Sequence, residues 1–210
     1  MKRFDIITES DARVLAHGET VMLARRGHIT PLAQDTLKQR RVTVIAEDSV
    51  LPDDASLVPR AEIHRIAIAS DHTGIALRKA LIAFLRGRGL SVDDLGTDST
   101  DSVDYPDVAA SVARPVARGE ADAGIVIDGA GIGSAIAANK VRGVRAVMAT
   151  TETIARYSRE HNGANVLTLG ATLVTEGEAR AIVTAWLGAA MREPRYIRRL
   201  AKIRKLEHDA

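Results

Sequence analysis

A chain of 210 residues, 46% hydrophobic and 27% charged, is long enough to bury a sizeable core and too apolar to be disordered overall. Its 29 basic and 27 acidic residues nearly cancel and aromatic residues make up 3%, which excludes both a broad cationic nucleic-acid surface and the stacking platforms of a single-strand binder. The absence of cysteine excludes disulfides, thiolate nucleophiles and cysteine-ligated metal centres, and no stretch approaches the roughly 18 apolar residues of a membrane-spanning helix, so the expectation is a cytoplasmic protein with neither nucleic acid nor membrane as partner.

Residues 1–48 read as a small unit. Thr8 to Asp11 fits the cap of a short helix, Val21 to Ala24 a short strand, Thr30-Pro31 a helix start with proline in first position, and Arg41 to Ala46 a strand. The expectation is a small α+β extension whose core is meagre, which points to docking on something larger. The stretch EDSVLPDDASLVPRAE follows, with Pro52, Pro59 and several acids and no regular period, and reads as a linker over 49–62.

From residue 63 apolar runs alternate with amphipathic stretches. Strands are expected at Arg65 to Ala69, Ser91 to Leu95, Gly124 to Ile127, Val144 to Met148 and Val166 to Leu169. Between and after them helices are expected at Gly74 to Arg88, Tyr105 to Arg118, Ser134 to Lys140, Glu152 to His161 and Glu176 to Ala190. Short β-branched strands separated by helices imply parallel pairing with both faces covered, an α/β fold with a doubly wound sheet of about five strands. Ligands of such sheets bind at the carboxyl ends of the strands, so the loops that follow the strands carry the chemistry.

Ser70-Asp71-His72-Thr73-Gly74 follows the first of these strands. A carboxylate and an imidazole at the mouth of a sheet can bind a polyol and a phosphate, or Asp71 can simply cap the helix and His72 lie on the surface. Asp128-Gly129-Ala130-Gly131-Ile132-Gly133-Ser134 follows the third strand. Glycines at alternate positions let backbone amides converge on an anion, and a carboxylate just before them suggests a base beside a hole for an oxyanion. A plain tight turn or a dinucleotide fingerprint are the other readings, the latter disfavoured by spacing and by its place after the third strand. Arg159-Glu160-His161-Asn162 ends a helix, and Arg195, Arg198 and Arg199 lie near the C-terminus; Arg195 and Arg199, four apart, share a helical face and can clamp a phosphate or merely be solvated.

Together these residues form a recognisable set. Residues 63–206, about two-thirds of the chain, resemble the ribose-5-phosphate isomerase B family, which includes the galactose-6-phosphate isomerase subunits. The resemblance rests on SDHTGIALR, VDYPDVA, GEADAGIVIDGAGIGSAIAANK, GVRAV and REHNGANVLTLGA, in that order. It implies a Rossmann-like three-layer α/β/α sandwich, a homodimer or dimer of dimers with active sites between subunits, and metal-free, cofactor-free interconversion of an aldose phosphate and a ketose phosphate through an enediolate. Carried over by position, His72, Arg195 and Arg199 bind phosphate, some of them supplied by the neighbouring subunit, Asp71 and Asn162 hold sugar oxygens, and the nest from Gly129 through Gly131 to Gly133 stabilises the enediolate. Many members carry a cysteine as base where this chain has Asp128, and often a threonine where it has Ala130. The substrate expected is therefore ribose 5-phosphate with ribulose 5-phosphate, or a related tetrose or pentose phosphate, and the alternative is a non-catalytic sugar-phosphate-binding or scaffold protein. The histidine that often opens the sugar ring aligns with Thr150, which favours open-chain substrates such as a tetrose phosphate unless His161 or a bound water opens the ring. In the first 48 residues ITESDAR and GHITPLAQDTL are similar to a short segment of some proteins of bacterial microcompartment operons, which implies shell or cargo partners and a place inside a microcompartment, or else a passive stabilising extension.

Overall fold

Strand and helix alternate along the chain in a computed structural model that describes residues 2–46, 57–60, 62–191 and 193–209. The linker read at 49–62 lies largely outside the described residues. By density of contacts the chain forms two compact units, Met1–Leu57 with Glu193–Lys202, and Val58–Arg192 with Ile203–Ala210.

The first unit contains β1 (Arg3–Ile7), α1 (Glu9–Val14), β2 (Thr20–Ile29), α2 (Pro31–Gln39) and β3 (Thr43–Ala46). Thr8 and Asp11 form a reciprocal capping box at the start of α1, the Thr8 amide donating to Asp11 Oδ2 at 2.9 Å, and Pro31 opens α2 where its missing N–H costs nothing. The α+β expectation is corrected here. The three strands pair in the order β1-β2-β3, all parallel, with a helix between each consecutive pair. The cause is β1, which the pattern does not announce because Arg3, Asp5 and Ile6 are exposed and only Ile7 is buried. Ile7, Leu15, Val21, Leu23, Ala33 and Leu37 make a core of this unit's own.

The second unit holds β4 (Arg65–Ser70), α3 (Ile75–Gly87), β5 (Ser91–Asp94), α4 (Tyr105–Ala117), β6 (Ala123–Asp128), α5 (Ile132–Ala138), β7 (Ala146–Met148), α6 (Glu152–Asn162), β8 (Val166–Gly170) and α7 (Glu176–Leu187). A last helix, α8 (Pro194–Asp209), follows. The strands form one parallel sheet in the order β5-β4-β6-β8-β7. Two-residue alternation sends Ile66, Ile68, Ile125, Ile127, Leu167 and Leu169 to the face covered by α3, α6 and α7, around Trp186. Ala67, Ala69, Val126 and Val166 point the other way, against Ala109, Val112 and Ala138 of α4 and α5. Both faces are thus covered, as the apolar strands require, and each fully buried Ile or Leu contributes about 1.5–3 kcal/mol by leaving water.

Neighbouring strands β4 and β6 are where the order reverses, β4 leading to β5 on one side and β6 leading to β7 and β8 on the other. The chains that leave those two strand ends run to opposite faces of the sheet, α3 on one and α5 on the other, and in parallel sheets this is where a ligand crevice lies. Arg78 of α3, fully buried, braces that end of the sheet by donating to Ser70 Oγ at 3.1 Å, the Thr97 carbonyl at 2.6 Å and Asp98 Oδ1 at 2.6 Å. Its Nε adds an ion pair with Asp94 at 3.1 Å, so the buried cation is paired on two sides.

Candidate active site

The pairing of β4 with β6 runs one step past the strand end, where the Asp71 amide donates to the Ile127 carbonyl at 3.1 Å. Asp71 is 6% exposed and caps a single 3-10 turn at His72–Gly74, its Oδ1 accepting from the Thr73 amide at 2.9 Å and the Thr73 hydroxyl at 2.6 Å. The capping reading of Asp71 is thus correct as far as it goes. His72 accepts at Nδ1 from the Val103 amide at 3.4 Å, which leaves the ring proton on Nε2.

Asp128 closes β6 and is 5% exposed. Its Oδ1 accepts from the amides of Ala130, at 2.8 Å, and Gly131, and its Oδ2 from the Ser134 amide, at 3.0 Å, and the Ser134 hydroxyl. The picture of a base beside an amide nest is corrected by this geometry: the carboxylate sits in the nest and takes its donors. The reason is reach, since an aspartate side chain is short enough to meet amides two and three residues on, and the first turn of α5 offers the next one with its positive dipole end. Gly131 makes the turn with φ 75°, and a Cβ there would stand 2.9 Å from the Leu169 carbonyl carbon. Threonines of the β8 side lock the loop from outside, Thr168 Oγ1 donating to the Gly131 carbonyl and Thr172 Oγ1 to the Gly129 carbonyl, both at 2.6 Å.

The two loops face each other. The Thr73 hydroxyl lies 3.8 Å from the position a Gly129 Cβ would take, and a Cβ on Gly133 would be 2.7 Å from the Tyr105 ring, which covers the first turn of α5. Asp71, His72, Asp128 and the Gly129–Gly133 loop are accordingly brought to one end of the sheet. Three participants escape the sequence reading: Thr73, Tyr105 and Ser134. The signal for Ser134 was a hydroxyl six residues after the aspartate, in the first turn of a helix otherwise made of Ala, Gly and Ile; for Tyr105 it was a tyrosine before a proline at a helix start.

Asn162 ends α6 as an exposed residue, its Nδ2 3.4 Å from the Tyr157 carbonyl, while the neighbouring His161 ring stacks on Tyr157 with centroids 4.7 Å apart. Asn162 also borders a cavity of about 390 Å³ walled by Val144, Val147, Ile203 and Leu206, with Arg145 and Glu207 at its polar side. Arg159, from the same motif, is a buried brace. It is 1% exposed, donates to the carbonyls of Ala189 at 3.1 Å, Ala164 at 3.2 Å and Arg60 at 2.7 Å, and lies 5.1 Å over Trp186. Burial, with the cation of Arg145 nearby, pulls its pKa down to about 10, so it remains charged at neutral pH.

Arg195 and Arg199 belong to the other compact unit. Both are exposed and lie against Tyr196, at 4.9 and 5.6 Å from the ring centre, and Arg195 pairs with Glu193 at 2.5 Å. They share one side of α8 as their spacing required.

Residues 66–203 match the ribose/galactose isomerase family. Over 143 residues, 68% of this chain and 96% of the relative, the sequence is 44% identical to ribose-5-phosphate isomerase B of Escherichia coli (strain K12). The structure of ribose-5-phosphate isomerase B from Clostridium thermocellum matches with a TM-score of 0.68 at 47% identity, covering 69% of this chain and 98% of that one. That of Mycoplasma genitalium, with bound ribulose-5-phosphate, matches with a TM-score of 0.68 at 41% identity over 70% of this chain and 98% of that one. No helix among the described residues is long and apolar enough to cross a membrane.

Proposed function

The chain belongs to the ribose/galactose isomerase family as a sugar-phosphate isomerase, and we propose that it interconverts ribose 5-phosphate and ribulose 5-phosphate, or a tetrose or pentose phosphate of the same kind, by moving a proton between C1 and C2. The observation that carries this reading is the Asp128 carboxylate, 5% exposed at the crevice where the strand order reverses. In the proposed step the C2–H bond next to the carbonyl breaks, the proton goes to Asp128, and the electron pair forms the enediolate; the O2 hydroxyl proton passes to O1, and return of the first proton from Asp128 to C1 completes the isomerisation. Negative charge thereby leaves the carboxylate and appears on the enediolate oxygen. In this reading the amides of Ala130, Gly131 and Ser134, held by the carboxylate at rest, turn to the enediolate oxygen only as the charge leaves Asp128.

Around that centre Asp71 and Asn162 hold sugar hydroxyls, and His72 offers its Nε2–H to the phosphate, with Arg195 and Arg199 supplied by the neighbouring subunit. A second copy of the chain completes the site in this proposal, which the apolar side chains of Tyr105, Ile132 and Ile136, 44%, 55% and 60% exposed around α4 and α5, support. For residues 1–48 the proposal is a docking extension to shell or cargo proteins, supported by exposed Ile6, Val14 and Leu32 on a unit with its own core. Loss of co-purification with such proteins on removing the extension supports docking, and unchanged co-purification means that it only stabilises the fold.

Incubation with ribose 5-phosphate, erythrose 4-phosphate and the matching ketoses in deuterated water tests the central claim. Interconversion with deuterium entering at C2 of the aldose is expected for at least one pair. Binding of these phosphates with no isomerisation of any of them overturns it in favour of a sugar-phosphate-binding protein.

A further inference from the structure

We propose that Ser134 is a positioning residue for Asp128, a hydroxyl that turns from hydrogen-bond donor to acceptor as the carboxylate takes up and releases the substrate proton. The inference rests on the reading of Asp128 as the base. Each oxygen of that carboxylate accepts two hydrogen bonds, and three of the four donors are main-chain N–H groups of Ala130, Gly131 and Ser134, which cannot accept. A carboxylate that becomes a carboxylic acid acquires an O–H which needs an acceptor of its own. Among these four donors, the Ser134 hydroxyl alone can rotate to supply one.

The hydroxyl is well placed for that change. Ser134 is fully buried, and its own amide donates to Asp128 Oδ2 at 3.0 Å, so the backbone under the hydroxyl is fixed to the group it serves. Proton and electron bookkeeping closes without a further reactant. The substrate C–H bond breaks as the Asp128 O–H forms, the electron pair stays on the enediolate, the substrate's own O2 hydroxyl proton passes to O1, and the Asp128 proton returns to the neighbouring carbon while Ser134 keeps its own hydrogen throughout. Water is not needed to reset the base.

The titratable and charged groups on the surrounding elements are Asp71 and His72 on the turn after β4, Arg78 beneath Ser70, and Tyr105 of α4 over the first turn of α5; the β8 end from Leu169 to Thr172 brings none. These are unchanged between Ser134 variants, so the difference between variants isolates the hydroxyl. The test is kcat/KM for ribose 5-phosphate against pH with the full chain, comparing wild type, S134A and S134T. Removing a donor to the charged form disfavours it, so S134A is expected to move the acidic limb up by about one pH unit and to lower kcat about tenfold with KM little changed. S134T, which restores the hydroxyl, is expected to return both toward wild type. An unmoved limb in folded S134A, or a folded S134T as impaired as S134A, overturns the proposal; if S134A does not fold, S134C, a weak donor, carries the same expectation. Loss of activity in Asp128→Asn without a limb shift in S134A defeats this inference alone, whereas retained activity in Asp128→Asn defeats the base reading beneath it.

Discussion

Two adjacent strands of the sheet end in the same way and are put to different use. β4 and β6 each place an aspartate just at or past their last buried residue, Asp71 at 6% and Asp128 at 5% exposure. Asp71 takes both of its donors from a single residue, Thr73, and so shapes a turn. Asp128 gathers three main-chain amides and a hydroxyl from a loop spread over six residues. Residue type and depth do not separate the two; the chain that follows does. Side chains at 72 and 73 leave Asp71 one amide in reach, whereas the glycines after Asp128 let the loop fold back on its carboxylate and on β8.

The difference is sharpest in catalysis. Asp128→Asn keeps the size and most acceptor capacity of the side chain but removes its basicity, and turnover should fall by about two to four orders of magnitude with the fold intact by circular dichroism. Asp71→Asn should leave the turn capped and change kcat far less, weakening substrate binding by about tenfold through loss of a charged acceptor. Equal losses of kcat in the two variants would erase the distinction between a base and a hydroxyl-holding cap. Arg195→Ala and Arg199→Ala should act like neither, each weakening inorganic phosphate and substrate binding by about tenfold or more through one charge-assisted contact. If phosphate affinity does not change, the α8 arginines are only solvated partners of Tyr196. The smallest effect is on stability: Gly131→Ala forces a side chain to φ 75° against Leu169, and thermal unfolding should report a loss of about 1–3 kcal/mol. An alanine in the Ser70–Gly74 turn at His72, where φ is negative, should cost much less.

What could be read from the chain follows range. Capping at Thr8, the proline-led helix start at Thr30-Pro31, the five strands of the larger sheet and the glycine loop are legible because each is set by residues close along the chain, and the observed bounds of those strands differ from the expected ones by at most two residues at an end. β1 escapes the pattern because an edge strand with Arg3, Asp5 and Ile6 exposed displays no apolar period, and the pattern of β2 stops short because Arg25, Arg26, Gly27 and His28 interrupt its apolar run. Without β1 the first unit looked α+β; with it, the parallel pairing follows from the helices between strands.

By itself, then, the sequence determined the five strands and intervening helices of the larger sheet, that this sheet is parallel and covered on both faces, and which loops carry polar groups at strand ends, since local sterics and apolar periodicity act along the chain. Tertiary structure decided the strand order that sets β4 beside β6, the approach of Thr73 to Gly129 and of Tyr105 to Gly133, and the seating of Asp128 inside the nest it was read as standing beside. Those depend on which distant segments pack together. Close packing chooses among contacts far apart in sequence, and a carboxylate leaving water takes the donors nearest to it in space, among them the hydroxyl of Ser134.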